Sequence, residues 1–311
     1  MMEFTHVSVL LHQTVDGLQI QPGGVYVDGT MGGGGHSGQV LAQLHGTGRL
    51  IGIDQDRDAV EVCRQRLGDN ENLTIVNDNF RNIKTILSEL HVDSIDGALL
   101  DLGVSSYQID NAARGFSYMA DAPLDMRMDQ TNALDAYTVV NTYSADKLSD
   151  LFFAYGEERF SRRIAAGIVE QRAKKPIETT GELAELIRHA IPAAAQQRGS
   201  HPAKRVFQAI RIEVNGELQI LRQALEDFFE SLNPGGRLCV ITFHSLEDRI
   251  VKQTFQSFAA GCTCPKDFPI CVCGRQPRGK VITKKPIEPD EGEIACNSRA
   301  KSAKLRIVQK I

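Results

Sequence analysis

The sequence predicts an α/β protein: a doubly wound, mostly parallel sheet interrupted by an all-helical insertion after the fourth strand. Three observations predict it. Across the first hundred residues, four short apolar runs alternate with helix-like stretches, the signature of βαβ units. Between Tyr107 and Asn215 no convincing strand is found. A further strand-like run appears at residues 237–243 (RLCVITF).

Each element follows from local signals. Residues 24–28 (GVYVD) form a short buried strand that enters a glycine-rich turn, and a helix follows over 37–44. Residues 49–54 (RLIGID), 73–76 (LTIV) and 95–101 (IDGALLD) are strands two to four, with helices expected over 58–67 and 83–90. Right-handed crossovers put helices on both faces of such a sheet. Residues 145–171 have helical spacing, with Leu148, Leu151, Phe152 and Tyr155 on one face. Thr179 and Glu182 form a capping box for a helix that Pro192 ends. Pro202 suits the first turn of another helix, which runs past an interruption at Gly216 toward Leu232. Residues 233–236 (NPGG) read as a turn before strand five, a helix is expected over 246–258, and residues 280–284 and 304–309 read as closing strands. The expected organisation is a sheet domain made of residues 1–106 and 215–311, with residues 107–214 inserted as a helical domain.

Composition narrows the class. Hydrophobic residues make up 42% and charged residues 24% of the 311, as in ordinary soluble proteins. No run approaches the roughly 20 apolar residues of a membrane span. The N-terminus lacks the basic region of a secretory signal. A cytoplasmic location without a membrane partner is therefore expected. The seven Cys then point to reduced thiols or a metal, not a disulfide framework. The net charge of −4 conceals segregation: residues 1–156 sum to −12, 157–211 to +5 and 262–311 to +6. Two basic blocks on an acidic body suggest a polyanionic partner, although basic helix faces are also common without one.

The sharpest motif is residues 28–38 (DGTMGGGGHSG), placed between the first strand and the first helix. Its glycines allow positive φ and close approach of a ligand, and open α/β sheets bind ligands at the carboxyl ends of their strands. No Lys followed by Ser or Thr comes after the glycines, so a Walker-type phosphate loop is excluded. Asp54 ends strand two with Asp56 behind it, suited to two ribose hydroxyls. Asp28, at the end of strand one, would repel a pyrophosphate; it better matches a ligand with a cationic amino-acid part, as in S-adenosylmethionine. Phe80 can pack on an adenine or simply fill the core, and Asp78 or Asn79 could hydrogen-bond that base. Asp101 ends strand four, facing the reacting end of a ligand, unless it caps a helix. His244 and Ser245 reach the same rim; Ser245 reads as a helix cap and His244 as a site candidate. Cys262, Cys264, Cys271 and Cys273 form two Cys-x-Cys pairs. These could hold one zinc, but their spacing is shorter than structural zinc sites use, and no metal is assigned.

Read in order, the motifs DGTMGGGGHS (28–37), DLGVSS (101–106), RGFS (114–117), PLDMRM (123–128), GEERF (156–160), FQAIR (207–211) and FHSLEDRIVK (243–252) closely resemble one family. It is the bacterial ribosomal RNA small subunit methyltransferase H (MraW) family, and the likeness runs from about His6 to Arg306. The resemblance implies a Rossmann-like class I methyltransferase sheet with a helical insertion. It implies S-adenosylmethionine as cofactor and methylation of a cytosine N(4) in the decoding region of 16S ribosomal RNA. It puts cofactor contacts on Gly34, Gly35, His36, Asp54, Phe80, Asp101 and Gln108. The partner it implies is 16S ribosomal RNA within the small ribosomal subunit, and it allows a homodimer. It lends no support to zinc. For such a reaction Asp101 is the first candidate to accept the amine's proton and His244 the second. Arg159, Arg162, Arg163, Lys174, Lys175, Lys204 and Arg205 are candidates to grip RNA, or else a solvated helix face. Three alternatives remain at this stage. A DNA amino-methyltransferase would commonly place Pro-Pro-aromatic where Leu102, Gly103 and Val104 stand. An RNA assembly factor could bind the cofactor without needing catalysis. A dehydrogenase is opposed by Asp28.

Overall fold

The computed structural model describes residues 8–196, 201–261 and 273–311. The chain divides into two compact units, residues 1–103 with 218–311, and residues 104–217.

In chain order the first unit begins α1 (Leu11–Leu18), β1 (Val25–Asp28), α2 (Gly35–Leu44), β2 (Arg49–Asp54), α3 (Arg57–Leu67), β3 (Leu73–Asn77), α4 (Ile83–Glu89) and β4 (Ile95–Asp101). The second unit holds α5 (Ser106–Asp110), α6 (Ala136–Thr142), α7 (Ala145–Gly156), α8 (Ser161–Arg172), α9 (Thr180–Ala190) and α10 (Lys204–Asn215). After it come α11 (Glu217–Ser231), β5 (Leu232–Thr242), α12 (Ser245–Ala259), β6 (Gly279–Val281), α13 (Glu291–Cys296) and β7 (Lys304–Lys310).

The strands form one sheet in the order β3-β2-β1-β4-β5-β7-β6. The first five are parallel, and β7 is antiparallel to both its neighbours. The strands are apolar runs because helices cover both faces. Adjacent residues of one strand serve opposite faces. Val27, Ile51, Leu100 and Val240 pack with Phe228 and Phe229 of α11 and Phe255 and Phe258 of α12. Tyr26, Leu50, Leu99 and Ile241 pack with Val15 and Leu18 of α1 and Val40 and Leu44 of α2. The order reverses between β1 and β4, which puts the switch point at the ends of these two strands.

Several expectations are corrected. Helix α2 starts at Gly35, not Ser37, so His36 is a helical residue. The helical stretch 145–171 is two helices: Glu157 turns left-handed at φ 48°, and buried Glu158 accepts from the Phe160 N–H at 2.9 Å. Pro202 lies ahead of α10. Residues 233–236 are no chain reversal; they are an excursion within β5, between Leu232 paired with Ile95 and Arg237 paired with Gly97. The short helices α1, α5, α6 and α13 had no counterpart in the sequence reading. Cys262, Cys264 and Cys271 lie outside the described residues, and Cys273 is exposed. No helix among the described residues is long and apolar enough to cross a membrane.

The second unit packs Leu148, Phe152, Ile164, Ile168, Leu183, Ile187, Val206 and Ile210 into its own core. Its long irregular segment is tied by Arg114, whose guanidinium is buried and donates to the carbonyls of Arg127 and Met128 at 2.9 and 3.1 Å. Asp125 and Arg127 add a two-point ion pair at 3.0 and 2.6 Å. The RGFS and PLDMRM motifs thus meet in one structural lock.

Candidate active site

Strands β1, β2 and β4 end on Asp28, Asp54 and Asp101. Equivalent strand positions give the three carboxylates very different surroundings. Asp28 is fully buried and accepts hydrogen bonds from Ser37 Oγ at 2.6 Å and the Thr30 N–H at 3.2 Å. Burial raises its pKa to about 7, against the pull of those two hydrogen bonds, and the charge of Asp54 adds to the rise. Asp28 therefore organises the turn and is sealed from the sheet's edge. Asp54 accepts from the N–H of Gly32 at 2.8 Å and of Asp56 at 2.9 Å. Asp56 itself is buried as the N-cap of α3, accepting from the Asp58 N–H at 3.0 Å, so it is not a second ribose acid.

The glycine turn is held from several sides. Gly32 and Gly34 have φ of 51° and 77°, a region that costs other residues about 1–2 kcal/mol. A Cβ on Gly34 would meet Cys63 Sγ at 3.0 Å, and one on Gly35 would run into Ser8 Oγ. From α3, Cys63 Sγ donates to the Gly32 carbonyl at 3.1 Å and Arg66 to that of Gly33 at 2.8 Å. The N-terminal residues 8–10 cross this turn, all buried.

Asp101 is largely buried, with 23% of its side chain exposed. Its backbone N–H donates to Thr30 Oγ1 at 2.5 Å. Its Oδ2 lies 3.7 Å from His36 Nδ1, while its Oδ1 has no hydrogen-bond partner among the described residues. Burial, then the charges of Asp28 and Glu247, hold its carboxyl well above the usual carboxylate range. It is no helix cap, since Ser105 caps α5. His36 is buried, with Nε2 3.1 Å from the Val9 carbonyl oxygen.

The end of β5 reverses an expectation. His244, not Ser245, caps α12: its Nδ1 accepts from the Glu247 N–H at 3.4 Å, and Glu247 accepts from the N–H groups of Phe243 and His244. His244 Nε2 lies 3.1 Å from Glu247 Oε1 but makes no hydrogen bond among the described residues. Phe80 is half-buried at the head of a short 3-10 turn, against the core and beside Gly29. Asp78 and Asn79 shape that turn. Asp78 accepts from the N–H of Asn79 and from Asn82 Nδ2; Asn79 accepts from the Arg81 N–H and donates to Gln55. Gln108 belongs to the second unit, where its Oε1 accepts from the Ser105 N–H at 2.9 Å in a capping box.

The basic candidates separate by environment. Lys174 pairs with Glu170 at 2.8 Å, and Lys175 with Glu182 at 2.9 Å. Arg205 donates to the Glu157 carbonyl at 3.3 Å. Arg159, Arg162, Arg163 and Lys204 are exposed and have no ion pair among the described residues.

Thr30, Ser37, Glu247 and the backbone of Val9 take part in this arrangement without having been singled out. The two hydroxyls were visible inside the glycine motif; a backbone carbonyl carries no side-chain signal at all.

The pattern that defines the MraW methylase family matches residues 3–311. The chain belongs to the MraW methylase family. It is 60% identical over 310 residues to the ribosomal RNA small subunit methyltransferase H of Clostridium botulinum (strain Loch Maree / Type A3), covering all of both chains. The protein of that name from Brevibacillus brevis is 56% identical over 311 residues, covering 100% of this chain and 99% of the relative. The sheet of this MraW methylase, with β7 antiparallel between β5 and β6, is the Rossmann-like sheet of class I methyltransferases.

Proposed function

We propose that this protein uses S-adenosylmethionine to methylate N(4) of a cytidine in the decoding region of 16S ribosomal RNA, within the small ribosomal subunit. The observation that carries the reading is Asp101: a largely buried carboxylate at the sheet's switch point, with one buried oxygen unpartnered among the described residues, beside a glycine turn and a second strand-end acid. Family membership and the names of the relatives support the substrate class. Such a substrate puts the protein in the cytoplasm.

The residues present fit the cofactor. The edge is rich in acceptors, which suits hydroxyls and an ammonium and opposes a pyrophosphate. Gly34 and Gly35 pack without a Cβ against Cys63, Leu67 and Ser8, which holds the turn at the carboxyl ends of the strands. Asp54, at the end of β2, is placed to meet ribose hydroxyls, and Phe80 offers an apolar surface to the base. When bound, S-adenosylmethionine supplies a methyl group on a cationic sulfur, and transfer to an amine leaves a proton for the protein to remove.

Cytosine's exocyclic amine is a weak nucleophile because its lone pair is delocalised into the ring. It must be held in line with the methyl group, and an acceptor on its N–H favours attack. His244 Nδ1 is taken by the Glu247 N–H, which ranks Asp101 first as the acceptor and His244 second. The helical part, residues 107–214, is the RNA-recognition domain, gripping phosphates with Arg159, Arg162, Arg163 and Lys204 while the target base leaves its stack.

The test is transfer of labelled methyl groups from S-adenosylmethionine to purified small subunits, followed by nucleoside analysis. Label in N(4)-methylcytidine is expected; label on another nucleoside, or none, refutes the reading. Asp101→Asn should lower turnover by about 100-fold or more and leave cofactor affinity within a few-fold. Equal losses in both would reduce Asp101 to a binding residue.

A further inference from the structure

The helical unit carries surface features that phosphate contacts alone do not explain. Four large hydrophobic side chains are exposed among the described residues, and three of them, Met119, Tyr137 and Phe153, belong to this unit. Phe153 of α7 is 68% exposed, although its neighbour Phe152 is buried in the unit's core. A single exposed ring needs no explanation by itself; its position gives this one a use.

Ser149, Phe153 and Gly156 follow one another along a ridge of α7, at i, i+4 and i+7. At one end, Ser149 Oγ lies 3.3 Å from Ser161 Oγ at the start of α8. At the other, a Cβ on Gly156 would meet the Arg205 carbonyl oxygen at 2.7 Å, so α7 crosses the first turn of α10 there. Phe153 stands between the two crossings. Both helix starts are basic: Arg162 and Arg163 open α8, and Lys204 and Arg205 open α10. Neither helix has an acid in its first turn or a side-chain cap. Positive charge at a helix start opposes the helix dipole, so these side chains do not serve the helices that carry them. Acids also flank the ring, on α7 itself: Asp146, Asp150 and Glu157 are exposed at i−7, i−3 and i+4. They repel a phosphate beside the ring but leave its face open to an uncharged base.

Aromatic surface continues at the start of α10. His201, just ahead of that helix, accepts from the Ala203 N–H at 3.2 Å and stacks on Tyr118 with ring centroids 4.6 Å apart. Both rings are partly exposed.

We infer that α7 presents Phe153 as a stacking platform for an unpaired RNA base, with the strand's backbone held over the basic first turns of α8 and α10. This deepens the RNA-binding reading above and rests on it. An exposed ring between basic turns suits a single strand, because every base has a π-face and every nucleotide a phosphate.

The chain contains no Trp, so Phe153→Trp places a lone reporter at the site. An unstructured RNA of about 12 nucleotides, titrated into the whole protein, should quench the fluorescence of Phe153→Trp. Unchanged fluorescence, or no binding of that RNA, overturns the inference. Phe153→Ala should bind the same RNA and purified small subunits about tenfold more weakly. Its slope of log affinity against log salt should match the wild type's, because stacking releases no counterions. Its melting temperature should be unchanged, as for other surface positions; a clear fall would assign Phe153 to packing and overturn the inference. Affinity within about twofold of the wild type overturns it too. So does a loss confined to small subunits with naked RNA unaffected, which would assign the ring to a ribosomal protein. If quenching and weakened binding both occur but small subunits acquire no methyl label, the proposed reaction fails and the stacking site stands.

Discussion

At the scale of single residues, one acid works against stability so that a turn can be built. The carboxyl of Asp28 has a pKa of about 7 in the folded protein and 3.8 as an ordinary aspartate. The native state therefore binds this proton more tightly than the unfolded chain. The stability tied to it is fully present below about pH 4 and is lost as pH rises through 7. Three pH units correspond to an effect on the order of 4 kcal/mol. Urea unfolding at pH 5 and pH 8 should show the wild type losing more stability over that interval than Asp28→Asn, which keeps a hydrogen-bond acceptor without the charge. Equal losses would show that the carboxyl is not protonated in the fold. The thiols of Cys63 and Cys239 behave consistently with this dry interior: burial pushes both up to about 12, which makes them core groups rather than reactive ones.

Among the elements, short irregular pieces do the positioning. Leu10 sits in the left-handed region at φ 51°, just before α1, and its N–H is held by Glu293 of α13. A helix near the C-terminus thus clamps the N-terminal residues that lie over the glycine turn and fix His36. A hydrogen bond to a charged acceptor is worth about 1.5–3 kcal/mol. Glu293→Ala should cost roughly 1–2 kcal/mol in denaturant unfolding and speed amide exchange at residues 9–18. Unchanged exchange there would mean that packing alone holds the segment. At the other end of the site, Glu247 plays the corresponding part, accepting two backbone N–H groups at the start of α12 and locking His244.

For the molecule as a whole, charge distribution bears on the partner. An acidic body with exposed arginines on the helical unit that form no ion pair among the described residues has the electrostatic footprint of a polyanion binder. Arg159, Arg162 and Arg163 lie at the surface, so replacing all three with Ala should leave the melting temperature nearly unchanged. Binding to small subunits should weaken, and the slope of log affinity against log salt should fall by about two, at about 0.7 per single-strand phosphate contact. A slope equal to the wild type's would move the RNA contact elsewhere.

How much of this was legible beforehand varies with the physics involved. Strands two and four, the capping box of Thr179 and Glu182, and the break at Gly216 were readable from their residues, because apolar alternation and cap chemistry are local. The helix-capping role of His244 was not, since Ser245 offers the stronger local cap and only the approach of Glu247 decides between them. The same limit applied to Asp28, whose chemical type suggested a ligand contact until Ser37 and Thr30 closed over it.

By itself, the sequence determined the order of the strands, the glycine turn and the presence of an acid at each of three strand ends, because these depend on residue type and spacing along the chain. Only the tertiary structure decided which of those acids is sealed, which is shared with backbone donors, and which has a buried oxygen with no partner among the described residues. Dielectric surroundings and hydrogen-bond partners come from chain segments distant in sequence, such as Val9 with His36 and Asp101 with Glu247. Residue type alone does not specify them.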